Sequence, residues 1–158
     1  MLRSNLAQKS LCLVLGAVVG IIALFVMPIS AALAAPAGFF SWFKQAGSID
    51  TGLFLWDVVV TYGLGLGLPA FMALLLAFRH FVAATIGSAL AFLAGVLLTI
   101  HVLAPLWFGY TLDLAFQRPW FAYALELSLV VGVLAAMLVA RFWPRPSRPS
   151  QVLSVAGR

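Results

Sequence analysis

Residues 11–34 of this chain read LCLVLGAVVGIIALFVMPISAALA and contain no charged side chain. A run of about 20 apolar residues is long enough to cross the hydrocarbon core of a bilayer as a helix. Three further apolar runs, interrupted by few ionisable residues, lie at residues 52–78, 81–104 and 120–139. The sequence therefore predicts an all-α polytopic membrane protein, a four-helix transmembrane bundle with spans at about residues 11–34, 52–78, 81–104 and 120–141.

The composition supports this class. Hydrophobic residues make up 65% of the 158 residues and charged residues 8%, whereas a soluble domain carries about 25% charged residues. We predict a single transmembrane domain at residues 1–143, with the lipid bilayer as its first partner and no segment that could bind nucleic acid. In the remaining residues, 144–158, prolines alternate with arginines. Because proline breaks helices, we expect this part to be a mobile tail.

The basic residues predict the topology. Seven of the nine Lys and Arg residues lie before the first span, between the second and third, or after the fourth, while Lys44 and Arg118 lie in the other two loops. Loops rich in Lys and Arg stay in the cytoplasm. We therefore expect an up-down-up-down bundle in a bacterial-type inner membrane, with both termini cytoplasmic. Arg79 and His80 would form a short cytoplasmic turn that makes the second and third spans antiparallel neighbours.

The first apolar run has a second interpretation. Arg3 and Lys9 precede it, and Ala32 and Ala34 before Ala35 fit the small-x-small pattern of a signal peptidase site. The run is longer than the usual core of a signal peptide and long enough to span the membrane. A retained helix is the favoured interpretation and a cleaved signal peptide the alternative. The orientation of the other three spans is the same in both.

Small residues recur at spacings of four in every span. Membrane helices associate where such residues let their backbones approach closely. We expect helix packing through the following glycines: Gly16, Gly20, Gly63, Gly67, Gly87, Gly95 and Gly132. Pro28 and Pro69 should kink the first and second spans, since each removes a backbone donor.

Three ionisable residues interrupt the spans: Asp57, His101 and Glu126. At a rise of about 1.5 Å per residue, all three lie roughly 4 to 10 Å below the predicted outer boundary. Thr61 is one turn from Asp57, and Tyr123 precedes Glu126 by three residues, so each shares a helix face with its acidic neighbour. These five residues form a candidate polar cluster for an ion or a ligand, because ionisable groups in hydrocarbon are costly unless they pair or contact water.

A simpler interpretation is that these side chains anchor the helix ends near the headgroups. No catalytic residue can be named, since no nucleophile has a recognisable base partner. No metal or cofactor is predicted, because no tight ligand spacing such as HExxH occurs. The single cysteine, Cys12, cannot form an internal disulfide, and the distant His80 cannot join His101 in holding a haem.

Two functional hypotheses follow. The first is a non-enzymatic accessory or scaffold subunit that packs against other membrane subunits or a second copy of itself through small-residue faces and the aromatic segment at residues 39–44. The second is a small transporter or a proton- or ion-coupled protein that uses Asp57, His101 and Glu126. Convergence of these three side chains favours the second hypothesis. Unconnected positions favour the first.

Overall fold

The computed structural model describes residues 5–108 and 123–143, and the described residues contain helices and no strand. This described part of the chain forms seven α-helices: α1 (Asn5–Ala31), α2 (Phe39–Gln45), α3 (Ile49–Trp56), α4 (Leu68–His80), α5 (Ile86–Leu98), α6 (Ala104–Phe108) and α7 (Ala124–Phe142). Three π-helical stretches connect some of them: Asp57–Thr61, Gly63–Gly67 and Thr99–Leu103.

These elements form four helices that are long and apolar enough to cross a membrane. Span 1 is Asn5–Ala31, span 2 is Ile49–His80, span 3 is Ile86–Phe108 and span 4 is Ala124–Phe142. The shortest, span 4, has 19 residues, which at about 1.5 Å per residue nearly matches a hydrocarbon core of about 30 Å. The prediction of an all-helical membrane protein with four apolar helices is confirmed.

The connection between spans 2 and 3 differs from the predicted turn at Arg79 and His80. Span 2 continues through both residues, and the connection is made by residues 81–85. Thr85 caps span 3, since its hydroxyl accepts a hydrogen bond from the Ser88 N–H at 3.2 Å. The apolar run from residue 81 is therefore longer than the helix, because a side-chain cap and not hydrophobicity sets the first helical residue.

Other boundaries shift by a few residues. Span 1 starts at Asn5 and ends at Ala31, before the small residues that resemble a cleavage site. Pro28 lies inside this helix, and Pro69 follows a π-helical stretch at the start of α4. Predictions that fall on residues 109–122, between spans 3 and 4, and on the tail at residues 144–158 lie outside the described residues.

The aromatic segment forms the short helix α2, which packs on the start of span 2. Phe43 is 9% exposed and lies so close to Gly52 that a Cβ there would be 2.7 Å from the Phe43 ring. The rings of Phe39 and Trp56 also meet, with centroids 5.5 Å apart. Because these rings cover one another, much of the segment's apolar surface is already used within the chain, although Trp42 is 64% exposed.

The four spans form two closely packed pairs. Span 1 packs most extensively on span 3, and span 2 packs on span 4. Spans 1 and 2 also share an interface, whereas few residues of α5 and α7 meet between spans 3 and 4. At one end of the span 2–span 4 pair, the Arg79 guanidinium lies 5.4 Å from the centre of the Trp143 ring.

Glycines allow the close approach between spans 1 and 3. A Cβ at Gly16 would overlap the carbonyl oxygen of Phe92, and one at Gly95 would overlap that of Leu13. A Cβ at Gly20 would lie 2.8 Å from the Thr99 Cβ. The backbones of spans 1 and 3 are therefore in contact at these glycines.

Spans 2 and 4 meet in the same way. A Cβ at Gly67 would lie 2.9 Å from the Ser128 carbonyl oxygen, and one at Gly132 would overlap the carbonyl oxygen of Gly67. Gly65 has a similar role toward span 1, because its Cβ would lie 2.7 Å from the Ser30 hydroxyl. The spacing pattern did not single out Gly65.

Gly63 and Gly87 do not meet the backbone of another span, and their predicted packing role stays a prediction. A Cβ at Gly63 would meet the Val58 carbonyl oxygen of its own span at 2.6 Å, within the π-helical region. At Gly87 the nearest atom is the Cε of Lys9, at 3.0 Å. A spacing of four identifies a helix face, but it does not tell which neighbour that face meets.

These contacts predict different costs for one added methyl group. Gly95→Ala and Gly132→Ala should each destabilise the protein by about 1–3 kcal/mol, since the new Cβ would overlap backbone atoms that cannot yield easily. Gly87→Ala is the matched control and should be neutral or stabilising, because the flexible Lys9 side chain can move. Unfolding in detergent micelles measures all three, and an equal cost at Gly87 would show that backbone contact is not the cause.

Candidate functional site: a polar layer shared by the four spans

Polar side chains from all four spans meet at one level of the bundle. Hydrogen bonds, an ion pair and electrostatic contacts connect them. We call this set the polar layer, and its members are Ser30, Asp57, Thr61, Tyr62, His101, Glu126 and Ser128. Three of the five residues predicted as a cluster are ionisable, and all three belong to it.

His101 and Glu126 form an ion pair between spans 3 and 4. The His101 Nε2 lies 3.3 Å from the Glu126 Oε1, and the side chains are 32% and 30% exposed. The second carboxylate oxygen of Glu126 is buried without a hydrogen-bond partner among the described residues. Glu126 therefore has one oxygen engaged by the imidazole and one free to accept a proton or another donor.

Asp57 is held within span 2. The Thr61 hydroxyl donates a hydrogen bond of 2.9 Å to the Asp57 Oδ1, and Thr61 is 8% exposed. The Thr61 carbonyl in turn accepts a bond of 3.0 Å from the Ser30 hydroxyl of span 1. This second bond fixes the backbone that positions Asp57, and it connects the acidic residue to the neighbouring span.

Ser128 connects span 4 to the same region of span 2. Its hydroxyl lies 2.7 Å from the Val58 carbonyl oxygen of span 2 and 2.8 Å from the Ala124 carbonyl oxygen one turn earlier in its own helix. One hydroxyl hydrogen serves both acceptors, so the bond is shared or alternates between them. Ser128 is 4% exposed, so its hydroxyl group is buried within the protein.

Tyr62 connects the two acidic residues electrostatically. The carboxylates of both Asp57 and Glu126 are near enough to interact with its half-buried phenol. Sequence reasoning missed Tyr62 because five residues from Asp57 correspond to about 140° on an α-helix. In a π-helix, residues five apart are joined by the backbone hydrogen bond and share a face. The π-helical stretch at Asp57–Thr61 therefore brings Tyr62 to the side of Asp57.

Two of the three described π-helical stretches contain an ionisable residue of the polar layer. Asp57 and Thr61 are the first and last residues of one stretch, and His101 is the middle residue of Thr99–Leu103. π-Helical turns are rare and occur frequently at functional sites. In this chain they rotate the polar side chains about the helix axis, so that residues five apart lie on the same face.

Tyr123, the fifth predicted member, lies at the start of span 4 and is 41% exposed. Neither the ion pair nor any of the hydrogen bonds described above includes it. Its predicted role in the cluster stays a prediction.

An apolar groove adjoins the polar layer on the side of spans 2 and 4. Its volume is about 450 Å³. Ser128 is the member of the polar layer that lines it, together with Val58, whose carbonyl oxygen accepts the Ser128 hydrogen bond. The residues that line it are Val58, Val59, Gly63, Gly67, Leu68, Phe71, Ser128, Val131, Gly132 and Ala135. Asp57, His101 and Glu126 are absent from this lining, so the groove and the ionisable part of the layer are separate features.

Within residues 5–108 and 123–143, no group of three or more His, Cys, Asp or Glu side chains is arranged to hold a metal ion. Comparisons of the chain with protein-family models, curated proteins and solved structures find no match. The class that the fold defines is a multi-pass helical membrane protein, and the polar layer is its candidate functional site.

Proposed function

We propose that the chain is an up-down-up-down bundle of a bacterial-type plasma membrane with both termini in the cytoplasm. The distribution of basic residues supports this orientation. The order of contacts supports the alternation, because Lys9, Gly16 and Gly20 of span 1 lie near Gly87, Phe92 and Thr99 of span 3 in the same sequence order. On this proposal the polar layer lies near the outer face.

We further propose that the protein is a small proton-coupled membrane protein and that the polar layer is its proton-binding site. The observation that carries this proposal is the His101–Glu126 pair, in which one carboxylate oxygen is paired and the other is buried and unpartnered. Ionisable residues within membrane spans commonly mark proton pathways. An imidazole suits such a site because it can both bind and release a proton at its ring nitrogens.

The chemistry of the layer follows from its two carboxylates. A proton that binds Glu126 neutralises the carboxylate and removes its attraction to a protonated His101. Asp57 is a second acceptor, whose geometry is fixed by Thr61. Tyr62 interacts with both acids, and its hydroxyl can donate or accept a hydrogen bond. The layer can therefore hold a proton at either carboxylate and respond at one to a change at the other.

The close packing within the chain also favours this function over a scaffold role. Gly16, Gly20 and Gly95 are occupied by contacts between spans 1 and 3, and Gly67 and Gly132 by contacts between spans 2 and 4. The accessory-subunit hypothesis depended mainly on such small residues being available to pack against another subunit.

Proton uptake into liposomes tests the proposal directly. Vesicles containing the purified protein and an internal pH-sensitive dye should dissipate an imposed pH gradient faster than empty vesicles. Glu126→Gln should slow this by about 100-fold or to the background rate, since a positioned proton-transfer group contributes roughly 10²–10⁴-fold. Asp50→Asn, an exposed acid in the first turn of α3, is the matched control and should retain the rate. A wild-type rate equal to that of empty vesicles would reject the proposal.

A second proposal, an accessory subunit, is favoured by the apolar groove between spans 2 and 4. Small residues such as Gly63 and Ala135 stand among the apolar residues that line the groove, and a helix of a second copy would pack on them as membrane helices do. Ala135→Trp would fill it, whereas Leu134→Trp would change an exposed neighbour on the same helix.

Subunit counting in lipid by single-molecule photobleaching separates the two outcomes. If the groove seats a second copy, the wild-type protein and Leu134→Trp should both be dimers, and Ala135→Trp should be a monomer. A wild-type monomer, or a dimer that Ala135→Trp leaves intact, would remove the groove as the dimer contact.

A further inference from the structure

The two closely packed helix pairs are joined unequally along their sides. Spans 1 and 2 are connected by the bond of 3.0 Å from the Ser30 hydroxyl to the Thr61 carbonyl and by the close approach of Gly65 to Met27 and Ser30. Spans 3 and 4 share few contacts between α5 and α7. We call this less densely packed boundary between spans 3 and 4 the seam.

One ion pair crosses the seam at the level of the polar layer. His101 belongs to span 3 and Glu126 to span 4, and their side chains meet at 3.3 Å. Within each helix pair, nearby residues pack closely: a Cβ at Gly20 would lie 2.8 Å from the Thr99 Cβ, and one at Gly67 would lie 2.9 Å from the Ser128 carbonyl oxygen. Buried apolar side chains of spans 3 and 4 also share one core cluster, but at the level of the polar layer the described contact across the seam is this ion pair.

We propose that the His101–Glu126 pair is a protonation-dependent latch. When the pair is intact, it holds the seam closed at the polar layer. When Glu126 is protonated, the pair of spans 1 and 3 and the pair of spans 2 and 4 separate at this end and expose Asp57. The inference deepens the proposed function, on which it rests for the role of the layer as a proton site.

The charged and titratable groups at the latch are few among the described residues. Span 2 contributes Asp57 and Tyr62, span 3 contributes His101, and span 4 contributes Glu126 itself. Span 1 contributes the Ser30 hydroxyl, which carries no charge. Ionised Asp57 repels ionised Glu126 and attracts protonated His101, so it opposes one half of the latch and supports the other.

The sign of the pH dependence follows from the two partners. The attraction requires a protonated imidazole and an ionised carboxylate. Acid weakens it by protonating Glu126, and alkali weakens it by removing the proton from His101. The seam should therefore be most closed at intermediate pH. The two contacts described between spans 1 and 2, from Ser30 to the Thr61 carbonyl and at Gly65, involve no ionisable side chain, so this side should act as the hinge at every pH.

Distances between spin labels test the latch in the full chain in lipid nanodiscs. On a Cys12→Ala background, one label pair at Leu103 and Leu127 reports across the seam, because both residues are exposed and adjoin the ion pair. A second pair at Val59 and Leu127 lies within the span 2–span 4 pair and is the control. Double electron–electron resonance spectroscopy measures both distances.

In Glu126→Gln, and in the unaltered pair at acid pH, the distance across the seam should lengthen by more than about 2 Å, the upper range of simple helix shifts at interfaces. The control distance should stay constant. The double variant His101→Glu with Glu126→His exchanges the two charges and should restore the short distance across the seam. The change with pH tests the latch even if a variant fails to fold.

The latch is overturned if neither Glu126→Gln nor acid changes the distance across the seam, or if the control distance changes equally. This measurement involves no proton flux. A longer distance therefore supports the latch even in a protein that carries no protons across vesicles, and an unchanged distance rejects it even in one that does.

Discussion

The contact of backbone with backbone at glycine is the constraint on which the other features of this bundle depend. In lipid there is little hydrophobic drive between helices, so packing and polar contacts must hold them together. Gly95 against Leu13 is the closest approach between spans 1 and 3, and Gly132 against Gly67 is the closest between spans 2 and 4. These contacts join spans that are not consecutive in the chain, whereas spans 3 and 4 share fewer contacts, with the His101–Glu126 ion pair among them.

The polar layer satisfies a second constraint of the membrane, that polar groups need partners inside the protein. Ser30, Thr61 and Ser128 do this with hydroxyl groups bound to carbonyl oxygens or to Asp57. Glu126 meets the constraint only in part, because one of its oxygens is buried without a partner. An incompletely satisfied acid beside a histidine is costly to keep in a structural role alone. It is well suited to binding and releasing a proton.

Much of the architecture could be predicted from composition and periodicity, since four long apolar runs define four helices and polar residues stand out within them. The ion pair between His101 and Glu126 could be anticipated, because the sequence places both residues at a similar depth in the membrane. The loop at residues 81–85 could not, because its residues are as apolar as a helix and only the Thr85 cap marks the boundary. Tyr62 was hidden by the assumption of α-helical periodicity, which the π-helical stretches break. The pairing of Gly87 with Lys9 instead of a backbone shows that spacing cannot select a partner.

A proton site near the outer face of the membrane must be reached by water from outside, and thiol labelling of intact cells tests this most directly. On a Cys12→Ala background, a membrane-impermeant maleimide should label His101→Cys in intact cells, because this position is 32% exposed and lies in the layer. Exposed Arg141, at the other end of span 4, should be labelled as Arg141→Cys only after the membrane is permeabilised. Labelling of Arg141→Cys but not His101→Cys in intact cells would contradict the orientation, and failure to label His101→Cys even after permeabilisation would contradict a water-accessible layer.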